Sequence, residues 1–342
     1  MKDNPIIVFF GAGAIGASVG AWVAANHENT YFLDVGEVTD ALEKDGIASY
    51  MGGAKNKAVN VKVKVIRNLS EIPTPDIIVV AVKNYSLDAV SKMIKEKVGD
   101  EPLIIGMQNG IENQTILPKY FSKVVYCVVC YNAWLDNHGV VGYQKKGPLV
   151  IGTADNELQF EMDTIRKVFS RGVETIVTLH LNNATHSKMI INLTNSLTTL
   201  IGHTYKEISD QSIFQKLLTN LTWEGVQIVK AAGYDECKLG GMPSWLLMKA
   251  GATLPQVVTK IPFKRSVKKL VISSMAQDIL QRGGSQSELE SLNGYFINLA
   301  EQYGIDIPYN KTIYELCKEE FAKPGFEPWD VKEVWDKVQQ NF

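Results

Sequence analysis

The stretch Pro5-Ile6-Ile7-Val8-Phe9-Phe10-Gly11-Ala12-Gly13-Ala14-Ile15-Gly16 decides how this chain is read. It opens a run from Asn4 to His27 without Asp, Glu, Lys or Arg, long enough to imitate a membrane span or a secretory signal. A span needs about 20 apolar residues in one unbroken helix, and here glycines interrupt at 11, 13 and 16. A secretory signal calls for a basic start, whereas Lys2 is followed at once by Asp3. The β-branched and aromatic residues of 5–10 predict a buried parallel strand, and the apolar residues 17–25 a buried helix. Strand, glycine turn and helix is the context that G-x-G-x-x-G needs to bind a dinucleotide. The first glycine permits the tight turn, the second lets a pyrophosphate approach the backbone, and the third lets the helix pack on the strand. Unpaired N–H groups at the helix N-terminus then face the phosphates. Taken alone, the hexapeptide also suits a plain structural turn.

The following strand separates these readings. Thr30-Tyr31-Phe32-Leu33-Asp34 ends in a carboxylate 18 residues beyond Gly16, close to the roughly 20 expected of the ribose-binding acid. An acid there binds both ribose hydroxyls of NAD and repels the 2′-phosphate of NADP. The sequence therefore predicts NAD as cofactor, with NADP disfavoured, held by Gly11, Ala12, Gly13, Ala14, Ile15, Gly16 and Asp34.

Residues 76–83 and 102–107 read as further buried strands with a helix over 86–98 between them, and 124–129, 147–151 and 175–179 as additional strands. After about residue 181 long helical patterns dominate, divided by Gly- or Pro-rich turns near 239–244, 251–255, 283–284 and 304–308. The expected fold is α/β plus all-α. A Rossmann-like, doubly wound parallel sheet spans 1–180, and an all-helical substrate-binding and dimerisation domain spans 181–342, with a cleft between them. A length of 342 residues also exceeds one ordinary core. The formal charge of −2, from 35 basic and 37 acidic side chains, excludes a broad nucleic-acid surface. Four cysteines form no disulfide framework, which points to a reducing compartment, the cytoplasm.

Ligands of such sheets lie beyond the carboxyl ends of the strands. Lys83 stands at one such end and Gln108-Asn109-Gly110 at the next. Asn109 suits the nicotinamide amide or a substrate oxygen, and Asn-Gly equally suits a turn. In the helical half, Lys188, Asn192, Asn195, Ser196 and Thr199 recur at i, i+4, i+7, i+8 and i+11, sharing one helix face among apolar residues. That face suits a lysine acting as a proton donor while its amides, Asn192 and Asn195, hold an oxygen-rich substrate, with Ser196 on the same face counted among the substrate-binding residues. A snorkelling lysine beside interhelical hydrogen bonds is the alternative. Ser273-Ser274-Met275 falls in a helical stretch, and Ser287-Glu288-Leu289-Glu290 predicts a capping box with Glu288 as the first helical residue. An acid at that position is also favourable for the helix itself.

In this order the pieces resemble the ketopantoate reductase family. The resemblance covers about 5–318 and rests on Gly11-x-Gly-x-x-Gly16, Lys83, Gln108-Asn109-Gly110, Lys188-x-x-x-Asn192, Ser273-Ser274-Met275-x-Gln277-Asp278, Glu288-x-Glu290-x-x-Asn293-Gly294 and Gly304-Ile-Asp-Ile-Pro308. It implies that Lys188 protonates the substrate carbonyl oxygen as hydride arrives. It also implies that Lys83 and Asn109 serve the cofactor, that Asn109 and Asn192 bind substrate, that Ser274 holds its carboxylate, and that Glu288 accepts from a substrate hydroxyl or assists Lys188. The sequence departs from pantoate-making members at four places. Ser196 stands for a second asparagine, Val271 for another, Gln144 for a histidine, and Asp34 for a basic residue that serves NADPH. The family's NAD-dependent D-2-hydroxyacid dehydrogenases fit these departures better. The expectation is an NAD-preferring reductase of a small 2-oxo acid, probed against NADPH-dependent 2-dehydropantoate reduction and a non-catalytic NAD(H) sensor, and working as a homodimer with no nucleic-acid or membrane partner.

Other signals carry less. Cys127-Val-Val-Cys130 lies in a strand-like run, where alternation sends the two sulfurs to opposite faces, and the five histidines have no ligand spacing, so no metal is expected. His186 reads either as lining the cleft or as a surface residue. The tail beyond Lys318, with Trp329 and Trp335, reads as a cover for the helical domain or as an oligomer interface.

Overall fold

A computed structural model describes residues 4–268, 270–284 and 287–342; the Lys2-Asp3 pair lies outside the described residues. The charge-free run is strand β1 (Ile7–Phe10), with all four residues buried, then helix α1 (Ala14–Ala24), buried from Gly16 through Val23. Burial on every side is the physical reason the run carries no charge. The chain continues through β2 (Thr30–Leu33), α2 (Gly36–Asp45), β3 (Ile47–Met51), β4 (Val59–Val61), β5 (Lys64–Val65) and β6 (Ile77–Val80). It then forms α3 (Asn84–Val98), β7 (Leu103–Gly106), α4 (Asn113–Ile116), β8 (Val124–Val129), β9 (Ala133–Asn137), β10 (Val140–Tyr143), β11 (Leu149–Gly152), α5 (Gln159–Phe169) and β12 (Thr175–Val177).

Eight of these strands make one sheet in the order β12-β11-β8-β7-β6-β1-β2-β5, parallel except at β8–β11. β1 lies between β2 and β6, with Ile7 opposite Thr30 on one side and Ile77 on the other. The winding therefore reverses beside β1, which is where doubly wound sheets bind ligands. Phe9 stacks on Phe32 at 5.6 Å and on Phe169 at 6.2 Å, so the core forms directly beneath the glycine turn. A second sheet, β4-β3-β10-β9, was not foreseen. Its strands are short, and β3 pairs in parallel with β10 about ninety residues later, a partnership no local pattern reveals.

The chain divides into two compact units, Met1–Leu181 and Asn182–Phe342. The second is helical: α6 (Leu181–Asn192), α7 (Thr194–Leu200), α8 (Gln211–Ala231), α9 (Trp245–Thr253), α10 (Gln256–Val267), α11 (Ser274–Ala276), α12 (Tyr295–Tyr303), α13 (Pro308–Glu320) and α14 (Val331–Gln339). Leu193 keeps helical dihedrals and its N–H still bonds Met189 O, so α6 and α7 run on as one broken helix. Two π-helical turns, Gln277–Gln281 and Glu290–Gly294, interrupt the later helices; such turns cluster at functional sites.

The tail settles against its own unit. α14 buries Val331, Val334 and Val338 and packs on α8 and α13, and Asp330 with Glu333 closes a capping box. The capping box predicted at Ser287 does not form. Among the described residues, the Ser287 hydroxyl accepts from Leu289 N, while Glu290 turns outward to the Tyr314 hydroxyl at 2.6 Å and Lys318 at 3.2 Å. The π-helical turn begins at Glu290, and its geometry carries that side chain away from the helix start.

Candidate active site

Asp34, just beyond β2, is the strand-end carboxylate predicted from the sequence, and the glycine turn is built around it. Its Oδ2 accepts from Ala12 N at 2.5 Å and its Oδ1 from Val35 N at 2.7 Å. Each oxygen retains a second lone pair for a ribose hydroxyl. Gly11 has φ +99°, and a Cβ there would lie 3.1 Å from the backbone of Ala81 and Val82. At Gly16 a Cβ would meet Gly11 O at 1.9 Å, which is the close helix–strand contact the spacing predicts. Gly13, the N-cap of α1, differs: nothing lies within 4 Å of where its Cβ would point. Open space over Gly13, with the first amides of α1 behind it, fits a pyrophosphate. The residues present therefore suit a dinucleotide.

The neighbouring strand ends supply the other expected groups. Lys83 is the N-cap residue of α3 and is half-buried, as is Asn109. Gln108, given no role of its own in the sequence reading, ties the ends of β6 and β7 together by donating to Val80 O at 2.8 Å and Val82 O at 3.1 Å. Asn84 donates to Asn109 O at 2.9 Å, fixing the backbone that presents the Asn109 side chain. Gly110 follows with φ +84°, so the Asn-Gly pair is a turn as well as a polar site.

In the helical unit Lys188 and Asn192 are buried one turn apart on α6, at 9% and 6% exposure. Two hydrogen bonds gather the remaining residues around α7. The Thr199 hydroxyl meets that of Ser273 at 3.4 Å, and Ser273 caps α11 through Ala276 N, which sets the half-buried Ser274 beside it. Asn293, inside the second π-helical turn, donates to the Ser196 hydroxyl at 3.0 Å. Glu288 is buried just before that turn, and its carbonyl accepts from Leu292 N.

The sequence reading assigned Ser196 a substrate-binding role. It is fully buried, and its hydroxyl donates to Leu193 O at 2.8 Å while accepting from Asn293. It is a strut between α7 and the π-helical turn, because a short side chain on a buried helix face reaches its own backbone before any ligand. Asn293, quoted only as part of a pattern, is the amide this strut holds, and its Oδ1 has no hydrogen-bond partner.

His186 is buried rather than on the surface. Asn182 O, an acceptor, lies 2.7 Å from Nδ1, so Nδ1 carries the proton and Nε2 accepts from the Tyr295 hydroxyl at 2.8 Å. Its ring stacks on Tyr234 at 3.8 Å. Burial lowers the His186 pKa and raises that of Tyr295 to about 12, so both stay neutral near pH 7. The pair anchors the turn of α6 that carries Lys188. Cys127 and Cys130 are buried with burial raising the Cys127 thiol, and among the described residues no three His, Cys, Asp or Glu side chains gather as metal ligands. No helix among the described residues is long and apolar enough to cross a membrane.

A family model described as Ketopantoate reductase PanE/ApbA matches residues 7–156, and its C-terminal counterpart, Ketopantoate reductase PanE/ApbA C terminal, matches 180–320. The 2-dehydropantoate 2-reductase of Archaeoglobus fulgidus is 27% identical over 314 residues, covering 91% of this chain and 96% of the relative. Among solved structures, the ternary complex of D-mandelate dehydrogenase with NADH and anilino(oxo)acetate aligns with TM-score 0.73 at 17% identity, covering 97% of this chain and 99% of that one. The dimeric ketopantoate reductase of Staphylococcus aureus aligns with TM-score 0.66 at 21% identity, covering 92% and 98%. The two family models together take in both the glycine turn and the Lys188 helix, and the chain belongs to the ketopantoate reductase family.

Proposed function

We propose that this chain reduces a 2-oxo acid to the D-2-hydroxy acid with NADH, using Lys188 as general acid. Family membership makes it an NAD(P)-dependent oxidoreductase acting on CH–OH groups. The observation that carries the finer reading is a buried lysine one helical turn from a buried amide, Lys188 and Asn192, on a helix braced to the Ser274 and Glu288 segments. The nicotinamide ring, when bound, supplies the hydride. The α1 N-terminus and the space over Gly13 receive the pyrophosphate, and Asp34 accepts from the ribose hydroxyls. Lys83 and Asn109 orient the cofactor, and Asn109 with Asn192 also orients the substrate. Ser274 donates to the substrate carboxylate. As hydride reaches the carbonyl carbon, charge grows on the carbonyl oxygen, and the Lys188 ammonium first stabilises and then protonates it. The neutral amine left behind recovers its proton from solvent, and in this reading Glu288 holds the substrate hydroxyl or assists that return. A homodimer in the reducing cytoplasm completes the reading. It is supported by the dimeric Staphylococcus aureus relative and by four cysteines that are all free thiols.

The relative named 2-dehydropantoate 2-reductase favours a second reading, NADPH-dependent reduction of 2-dehydropantoate, and Asp34 argues against its cofactor. The test is turnover of a panel of 2-oxo acids, including 2-dehydropantoate, phenylglyoxylate and branched-chain members, with each cofactor. We expect NADH to be preferred and Lys188→Ala to cut kcat about 10²–10⁴-fold with NADH affinity nearly unchanged. Asp34→Asn, which keeps an acceptor for Ala12 N but removes the charge, should lower the NADH:NADPH preference at least about tenfold. No turnover of any 2-oxo acid would favour an NAD(H) sensor. Unchanged kcat in Lys188→Ala would remove the lysine from the mechanism.

A further inference from the structure

The π-helical turn Glu290–Gly294 and the residue after it are tied to the helix carrying Lys188 at two points. Asn293 Nδ2 donates to the Ser196 hydroxyl at 3.0 Å, and the Tyr295 hydroxyl donates to His186 Nε2 at 2.8 Å. Asn293, Ser196 and His186 are buried and Tyr295 is half-buried. The two donors stand two residues apart, while their acceptors stand ten apart on α6–α7, which is about 15 Å of helix. Lys188 and Asn192 lie between those acceptors. The two bonds therefore bracket the residues to which the chemistry is assigned.

The turn sets a second distance. Tyr295 N donates to Glu290 O, five residues back, one residue more than an α-helix spans. Leu292 N donates to Glu288 O, so Glu288 enters the turn through a backbone bond. Closing the turn to α-helical spacing would rotate Glu288 by about 100° relative to Tyr295, and the two side-chain bonds hold the wide register. Stability gives a poor account of Asn293. Its Oδ1 is buried without a hydrogen-bond partner, and such an acceptor costs at least as much as one neutral hydrogen bond returns. An apolar pair would join the two elements at lower cost, but without fixing their direction.

We propose that Asn293 and Tyr295 are positioning residues that act through the π-helical turn to hold Glu288 in a fixed place relative to Lys188. The proposal rests on the reading of Lys188 as general acid. Misplacing such a group by about 1 Å costs up to about a hundredfold in rate, so these bonds act on kcat and leave cofactor affinity alone.

The test separates hydrogen bonding from packing. Ser196→Ala with Asn293→Leu removes donor, acceptor and unpartnered oxygen together, and Tyr295→Phe removes a single hydroxyl. Each is assayed with NADH and the best substrate of the 2-oxo acid panel, alone and combined with Glu288→Gln. The Ser196–Asn293 double variant should keep or gain thermal stability yet lose about 10–100-fold in kcat with NADH affinity unchanged. Tyr295→Phe should lose kcat in the same way. In a Glu288→Gln background either change should cost little more, because the group they position is already gone. Amide hydrogen exchange without substrate should quicken around Glu288 and Lys188 in both variants and stay unchanged in α8. Wild-type kcat in either variant, losses that track melting temperature, or losses that simply multiply with that of Glu288→Gln would reduce the bonds to packing and overturn the proposal while Lys188 stands. An unimpaired Lys188→Ala enzyme, or a wild type that turns over no 2-oxo acid, removes the reading and the positioning with it.

Discussion

Under the proposed function, Gly13 would separate folding from cofactor binding at a single residue. Its backbone, at φ −63° and ψ −176°, is open to any residue, and a Cβ there meets nothing within 4 Å. Its neighbours in the motif have no such freedom, since Gly16 would strike Gly11 O. Gly13→Ala should therefore leave thermal stability unchanged and weaken NADH binding at least about tenfold, because the methyl group occupies the space a pyrophosphate needs. Full NADH affinity in that variant, measured by fluorescence titration, would show that the open space is not the phosphate site. Residues of this kind were legible in the sequence because their spacing is set by the geometry of one turn. The roles of Ser196 and Asn293 were not, because their hydrogen bond joins positions ninety-seven apart in the chain. Only the fold decides whether a serine on a polar face meets a ligand or a neighbouring helix.

Elements show a second kind of dependence in the start of α13. Glu224, on α8, accepts from Tyr309 N at 3.0 Å and from Asn310 N and Nδ2 at 2.8 Å, capping α13 from another helix. Burial pushes this carboxyl up to about 7, despite the donors that favour its charged form. A folded-state pKa above the unfolded value means that protonation favours folding. The stabilisation is complete below about pH 4.5 and lost as pH rises through about 7, with a magnitude of about 3 kcal/mol. Glu224→Gln cannot titrate. Its advantage or deficit in unfolding free energy relative to wild type should shift by up to that amount between pH 5 and about 7.5, with wild type losing ground as pH rises. Parallel stability profiles from denaturant titrations at several pH values would show that Glu224 does not titrate there. The cap was invisible in the sequence because tertiary capping follows no fixed spacing, and the capping box that the spacing did suggest, at Ser287, proved open.

At the scale of the whole molecule, the fold class was legible because each unit writes its period into the sequence. Buried parallel strands lose their charges, as β1 and β6 do, and the later helices repeat their apolar positions at helical spacing. The small β4-β3-β10-β9 sheet was lost because two of its strands come from one part of the chain and two from another. The proposed chemistry divides along the same lines, with the nucleotide turn in the first unit and Lys188 in the second. NADH alone should therefore slow hydrogen exchange at the orphan amides opening α1, which the pyrophosphate would take as partners. Protection around Ser274 and the Glu290–Gly294 turn should appear only when an unreactive oxamate-type analogue is added. Coupling between ligands is reciprocal, so the factor by which NADH tightens the analogue must equal the factor by which the analogue tightens NADH. Protection of both regions by NADH alone, or analogue binding indifferent to NADH, would separate Lys188, Ser274 and Glu288 from the hydride-transfer site and leave the nucleotide turn with another partner.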